Sequence, residues 1–213
     1  MKNNLIIRRP FRYTFFHATL ALIIINFLVF ILAYQNPRLN IYLSLNVRTI
    51  MFGKMYWQFI TYMFTHQGFQ HLFFNMLALF IFGIAVERAI GSKEFLLFYF
   101  VTGLLVGLFS FLLFWVTKNY NAFLLGASGA VYAILFAYAT CFPRNIISIW
   151  GIIPIPAPIL VLIYTIIEIV SQVFSSSNVA HFAHLFGFFA AFLYFIIRMG
   201  INPIKIWKRD YLD

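Results

Sequence analysis

The chain has 213 residues, 63% of them hydrophobic and 21% aromatic, with only 9% charged and a mean hydropathy of +0.92. A soluble domain carries roughly 25% charged residues, so this composition excludes a water-soluble fold and describes an integral membrane protein. Fifteen Lys and Arg against five acidic residues give a net charge of +10, but the basic residues lie at the chain ends and in short connections, where they read as topology signals and lipid-headgroup contacts rather than a nucleic-acid surface.

About 20 apolar residues cross a bilayer. The first qualifying run, Thr14 to Tyr34, is too long for the apolar region of a signal peptide and lacks a small-x-small cleavage site, so it is expected to stay as an anchor. The long connection that follows, 35–67, contains "MFGKMYWQFITYMF" and is expected to lie at the membrane interface rather than fold as a separate domain. Further spans are expected at Gly68 to Val86, Phe95 to Thr117, Phe123 to Phe142, Ile155 to Phe174 and Val179 to Ile197. The expected fold class is therefore all-α, a polytopic bundle of six transmembrane helices forming one domain over residues 1–213. Lys2, Arg8, Arg9, Arg12, Arg88, Lys93, Arg144, Arg198, Lys205, Lys208 and Arg209 fall on one side, against Arg38, Arg48, Lys54 and Lys118 on the other. Both termini are thus expected in the cytoplasm. The single cysteine, Cys141, lies in an apolar run and cannot form an internal disulfide.

Polar side chains inside spans mark pathways or sites. Ser128 and His184 each lie about five residues from the outer ends of the fourth and sixth spans, and His71 and Asn75 lie just inside the second. At the helical rise these depths come to about 5 to 10 Å below one surface. His71 and Asn75 share a face, as do Ser128 and Tyr132, and Gly126, Gly129 and Gly187 remove bulk so that the fourth and sixth helices can approach within reach of a Ser–His hydrogen bond. Taken singly, a serine among glycines is packing glue and a lone histidine bonds a neighbouring carbonyl. Three helices offering polar groups at one level point to a site. His181 and His184 at i, i+3 are read as no metal pair, for want of a carboxylate or thiol at their depth, and His66 is read as a solvated interfacial residue.

"HLFFN" (His71 to Asn75), "VERAIGS" (Val86 to Ser92), "GASGAVYA" (Gly126 to Ala133) and "AHLFG" (Ala183 to Gly187) occur in the order and on the spans of a rhomboid intramembrane serine protease, which the chain resembles from about Tyr56 to Ile197. The resemblance implies a serine-type endopeptidase that cuts transmembrane segments of single-pass or polytopic membrane proteins in the lipid bilayer, without cofactor, metal or nucleic acid, in a bacterial plasma membrane. It implies Ser128 as nucleophile and His184 as base, with no acidic third member, and His71, Asn75 and the Ser128 backbone N–H as oxyanion donors. Tyr132 would orient the base, while Gly126, Gly129 and Gly187 support the pocket and the helix contact. Ala-His-x-x-Gly fits Ala183, His184 and Gly187, which leaves His181 a hydrogen bond at the mouth of the site. Trp57-Gln58 stands where many members have Trp-Arg, and Ala191 where a further glycine is common. Glu168, the acid inside the fifth span, is read as bonding a neighbouring helix, its alternative being a part in gating, since the fifth helix is the family's suspected substrate gate. A non-catalytic relative that holds membrane clients is the main alternative, disfavoured by the presence of both Ser128 and His184. A small transporter or channel would want midplane charges that are missing apart from Glu168.

Overall fold

The computed structural model describes residues 10–149, 152–174 and 179–212. The expected topology signals Lys2, Arg8 and Arg9 lie outside them. Six apolar helices follow in order: α1 (Ala18–Gln35), α2 (Phe69–Ile90), α3 (Ser92–Val116), α4 (Ser128–Cys141), α5 (Ala157–Phe174) and α6 (Val179–Tyr194), which runs on through a π turn at Phe195–Met199. Among the described residues, α1, α2, α3 and the α6 segment His181–Met199 are long and apolar enough to cross a bilayer, while α4 and α5 are shorter apolar helices. A last helix, α7 (Pro203–Leu212), is fixed to α4 by the Trp207 Nε1–H donating to the Ala139 carbonyl at 3.0 Å.

Helix α4 is the axis of the bundle. Ala130, Ala133, Ile134 and Ala137 on it are buried, as are Phe95, Phe98, Tyr99 and Val106 of α3 and Ala183, Ala190 and Ala191 of α6. Alanine and glycine dominate the α4–α6 contact because dispersion between close backbones, rather than burial from water, holds helices together in lipid. The opposite faces of α1 and α5 expose Ile24, Leu28, Ile31, Leu162, Ile166 and Ile169, as lipid-facing surfaces require.

Two departures from the expected spans have local causes. Phe123–Leu124 is not helical: it forms β2, antiparallel to β1 (Leu45–Asn46) in the long connection, so α4 starts at Ser128 instead of five residues earlier. Gly126, at φ +108, sits at the turn between strand and helix in a region open to glycine. Ile146–Ile149 (β3) and Ile153–Pro156 (β4) form an antiparallel hairpin ahead of α5, which moves the start of the fifth helix from Ile155 to Ala157. Pro154 and Pro156 are poor helix continuers, and the alternating isoleucines suit a pleated pair.

The long connection is held by two buried amides. Asn46 accepts from the N–H groups of Arg48 and Thr49 and donates to the carbonyls of Tyr120 and Ala122 at 3.0 and 2.9 Å. Gln58, fully buried, accepts from the Asn46 N–H and the Thr49 hydroxyl and donates to the Tyr42 carbonyl at 3.1 Å. Gln58 is thus the hub of a neutral network that, through Asn46, fixes this connection against the turn leading into α4. Phe52 and Tyr56 stay exposed, in keeping with an interfacial position.

Candidate active site

Ser128 is the first residue of α4, so its backbone N–H is among the first-turn donors that no helical carbonyl can satisfy. The turn before it is anchored by the Gly126 N–H donating to the Tyr62 carbonyl at 2.9 Å. A Cβ on Gly126 would lie 2.6 Å from His71 Cε1. Glycine there brings the imidazole of α2 against the turn that carries the serine. Ser128 makes no side-chain hydrogen bond among the described residues; with Gln67, His71, Asn75, Tyr132 and His184 it lines a cavity of about 1120 Å³.

The other wall comes from α6. A Cβ on Gly187 would run into the Gly129 carbonyl, and one on Gly129 would meet Val106 Cγ1 at 2.7 Å. Neither helix tolerates a larger residue at this crossing. The close approach lays the Tyr132 ring on the His184 imidazole, 4.1 Å between centroids and 7° from parallel. His184 is thereby fixed on one face.

Its edge is fixed by an acid. Glu168 of α5, 4% exposed, accepts from the Tyr132 hydroxyl at 2.5 Å, pairs through Oε1 with His184 Nδ1 at 2.9 Å and through Oε2 with His181 Nδ1 at 2.6 Å. The three ligand atoms of Glu168, His181 and His184 lie within 4.8 Å of one another. A carboxylate does therefore lie at the depth of the two histidines, which removes the sequence-based reason for setting aside a metal pair, although its oxygens are already engaged in hydrogen bonds.

On the α2 side, Asn75 is buried and donates through Nδ2 to the His71 carbonyl at 2.7 Å, which leaves one amide hydrogen for another acceptor. His66 is not solvated as expected. It is 2% exposed, with its ring edge-on to His71 at 5.1 Å. Burial, and then the neighbouring His71, pull its pKa down to about 3, so it packs as a neutral ring behind His71.

A sequence model of the rhomboid domain matches residues 53–200. The chain belongs to the rhomboid family. It is similar to the putative rhomboid protease YdcA of Bacillus subtilis, 30% identical over 140 residues, 65% of either chain. Over 82 residues, 38% of this chain and 15% of the other, it is 42% identical to rhomboid protease GluP of the same organism. It is also 34% identical to yeast mitochondrial rhomboid protein 1 over 97 residues, 44% of this chain and 27% of the relative. The chain spans at most about two thirds of the length of these relatives. Membership agrees with the helical membrane bundle described above.

In this rhomboid, Ser128, His184, His71 and Asn75 do come together around one cavity, with Tyr132 stacked on His184 and Gly126, Gly129 and Gly187 at the close contacts. The Ser–His hydrogen bond expected between α4 and α6 is not formed in this state. An imidazole without an acidic neighbour was also expected, and Glu168 corrects that. A signal existed: Glu168 lies six residues before Phe174 and His184 five after Val179, equal depths on antiparallel helices.

Proposed function

We propose that this rhomboid is an intramembrane serine endopeptidase that hydrolyses peptide bonds in or beside transmembrane segments of other membrane proteins. The observation that carries the reading is the convergence of a hydroxyl, an imidazole and free N–H donors from α4, α6 and α2 on one cavity. Ser128 Oγ attacks the scissile carbonyl carbon as its proton passes to His184 Nε2, the nitrogen that remains once Nδ1 is bonded to Glu168. The oxyanion takes hydrogen bonds from the Ser128 N–H, the second Nδ2–H of Asn75 and His71, each worth about 3 kcal/mol in such sites. His184 then gives the proton to the leaving amine, and water cleaves the acyl-enzyme by the same relay.

Backbone amides of a helical substrate are internally bonded, so the cut segment must unwind locally, which favours small and helix-breaking residues. The Lys and Arg distribution supports both termini being cytoplasmic with the cavity near the outer face, and the likeness to the two Bacillus subtilis proteins supports placement in a bacterial plasma membrane. A fluorophosphonate probe should label the purified protein in detergent and fail to label Ser128→Ala. That variant should lose cleavage of a model transmembrane substrate while unfolding near the wild-type temperature. Retained turnover in Ser128→Ala would reject the reading.

A further inference from the structure

We propose that Glu168 is a positioning residue for the reaction: from α5 its carboxylate holds His184 in the Nδ1–H form, so that the Nε2 lone pair faces the Ser128 side of the cavity. The inference rests on the serine-protease reading and adds an acidic partner to the Ser128–His184 pair.

The first argument is about protons. An ionised carboxylate only accepts hydrogen bonds, so the 2.9 Å contact between Glu168 Oε1 and His184 Nδ1 requires the hydrogen to be on Nδ1. The neutral ring then has its basic lone pair on Nε2. When Ser128 transfers its proton, Nδ1–H stays in place, Glu168 stays ionised, and the positive charge that develops on the ring sits beside a fixed negative one. This is the general logic of an acid behind a histidine base.

The second argument is about the carboxylate itself. At 4% exposure and with no arginine or lysine among its hydrogen-bond partners in the described residues, Glu168 is tolerable in an apolar bundle only because three donors converge on it. Two of them, Tyr132 and His184, are also stacked on each other, so the acid, the phenol and the base hold one another in a triangle. His181 completes the other oxygen. Holding α5 to α6 would not need a charge, since any acceptor of the same shape would serve.

That distinction is the test. Glu168→Gln keeps the shape and an acceptor oxygen but removes the charge and lets the amide present N–H to the imidazole. Turnover of a transmembrane substrate should fall by roughly 10²- to 10⁴-fold in kcat, the range of a general base's contribution, with little change in KM or in thermal unfolding. Separately, ¹⁵N-histidine NMR should find His184 protonated at Nδ1 in the wild type and shifted toward Nε2–H in Glu168→Gln. Wild-type kcat in Glu168→Gln, or a wild-type His184 protonated at Nε2, overturns the inference. If the wild type resists the fluorophosphonate while the tautomer pattern is found, the protease reading fails and the positioning by Glu168 stands.

Discussion

This rhomboid buries carboxylates at both ends of α2, and they are used differently. Near its C-terminal end, about 24 Å along the helix from His71 at the usual rise, Glu87 accepts from the N–H groups of Ala18 and Thr19 at 2.6 and 2.9 Å and from the hydroxyls of Thr19 and Ser92 at 2.6 and 2.5 Å. Glu94 beside it accepts from Tyr194 at 2.6 Å and from the Arg198 guanidinium at 2.9 and 2.8 Å. At the other end, Glu168 accepts from a phenol and two imidazoles. Backbone amides, hydroxyls and a guanidinium do not release protons near neutral pH, so the first pair of acids can only cap α1 and tie α3 to α6. An imidazole has a second nitrogen, and that of His184 is left for the cavity. The chemistry of a buried acid is decided by what its donors can do next.

The largest expected effect is at the end where the active site is proposed. His184→Ala should eliminate both proteolysis and fluorophosphonate labelling, because the other imidazole of the cavity, His71, lacks the Glu168 and Tyr132 contacts that hold His184 as the base, while thermal unfolding changes little beyond the loss of the Tyr132 stack. Measurable labelling in His184→Ala would move the base to another residue and dissolve the contrast between the two ends.

A smaller effect, of a different kind, is expected at the other end. Glu87→Ala leaves the first N–H groups of α1 without their acceptor in a dry site. Hydrogen bonds to a charged group contribute about 1.5–3 kcal/mol each and do not simply add, so a loss of about 3 kcal/mol is expected in reversible denaturation in detergent. Turnover per folded molecule should stay near wild type. A well-folded Glu87→Ala without activity would show that the two ends are coupled.

Much of this was readable from the sequence, for reasons that particular residues make plain. Ser128, His184, His71 and Asn75 were legible because each is a polar group where lipid forbids one, at matching depths on separate spans. Gly126, Gly129 and Gly187 followed from the need for close approach, and the structure puts the His71 ring, a Val106 methyl and the Gly129 carbonyl, respectively, where each Cβ would go. Glu168 was visible as an oddity, but its partners were not, since pairing with His184, 16 positions further along the chain, depends on how α5 is rotated about its axis, which the sequence between them does not specify. The strands at Phe123–Leu124 and Ile153–Pro156 were hidden by composition, because an apolar strand and the end of an apolar helix look alike in a hydropathy window. His66 was misplaced for a related reason: an interfacial position along the chain says nothing about whether another ring covers it.

The smallest effect expected is at His181, and it separates two histidines one turn apart on α6. Both reach the same carboxylate, but His181 bonds Oε2 while His184 shares Oε1 with Tyr132. His184 alone of the two stacks on Tyr132 and lines the cavity with Ser128, and the His181 side chain is the more exposed, 24% against 15%. Removing His181 takes one donor from Glu168 and leaves the two on the oxygen that holds the base. The lost bond is partly solvated, so its contribution is near 1 kcal/mol, which corresponds to a decrease in kcat of less than about tenfold. His181→Ala should therefore keep fluorophosphonate labelling and measurable cleavage, with the wild-type Nδ1–H form of His184 preserved in the NMR spectrum. A complete loss in His181→Ala, with His184→Ala still active, would exchange their roles and require a different register for α6 against α4, which the contact between Gly129 and Gly187 does not allow.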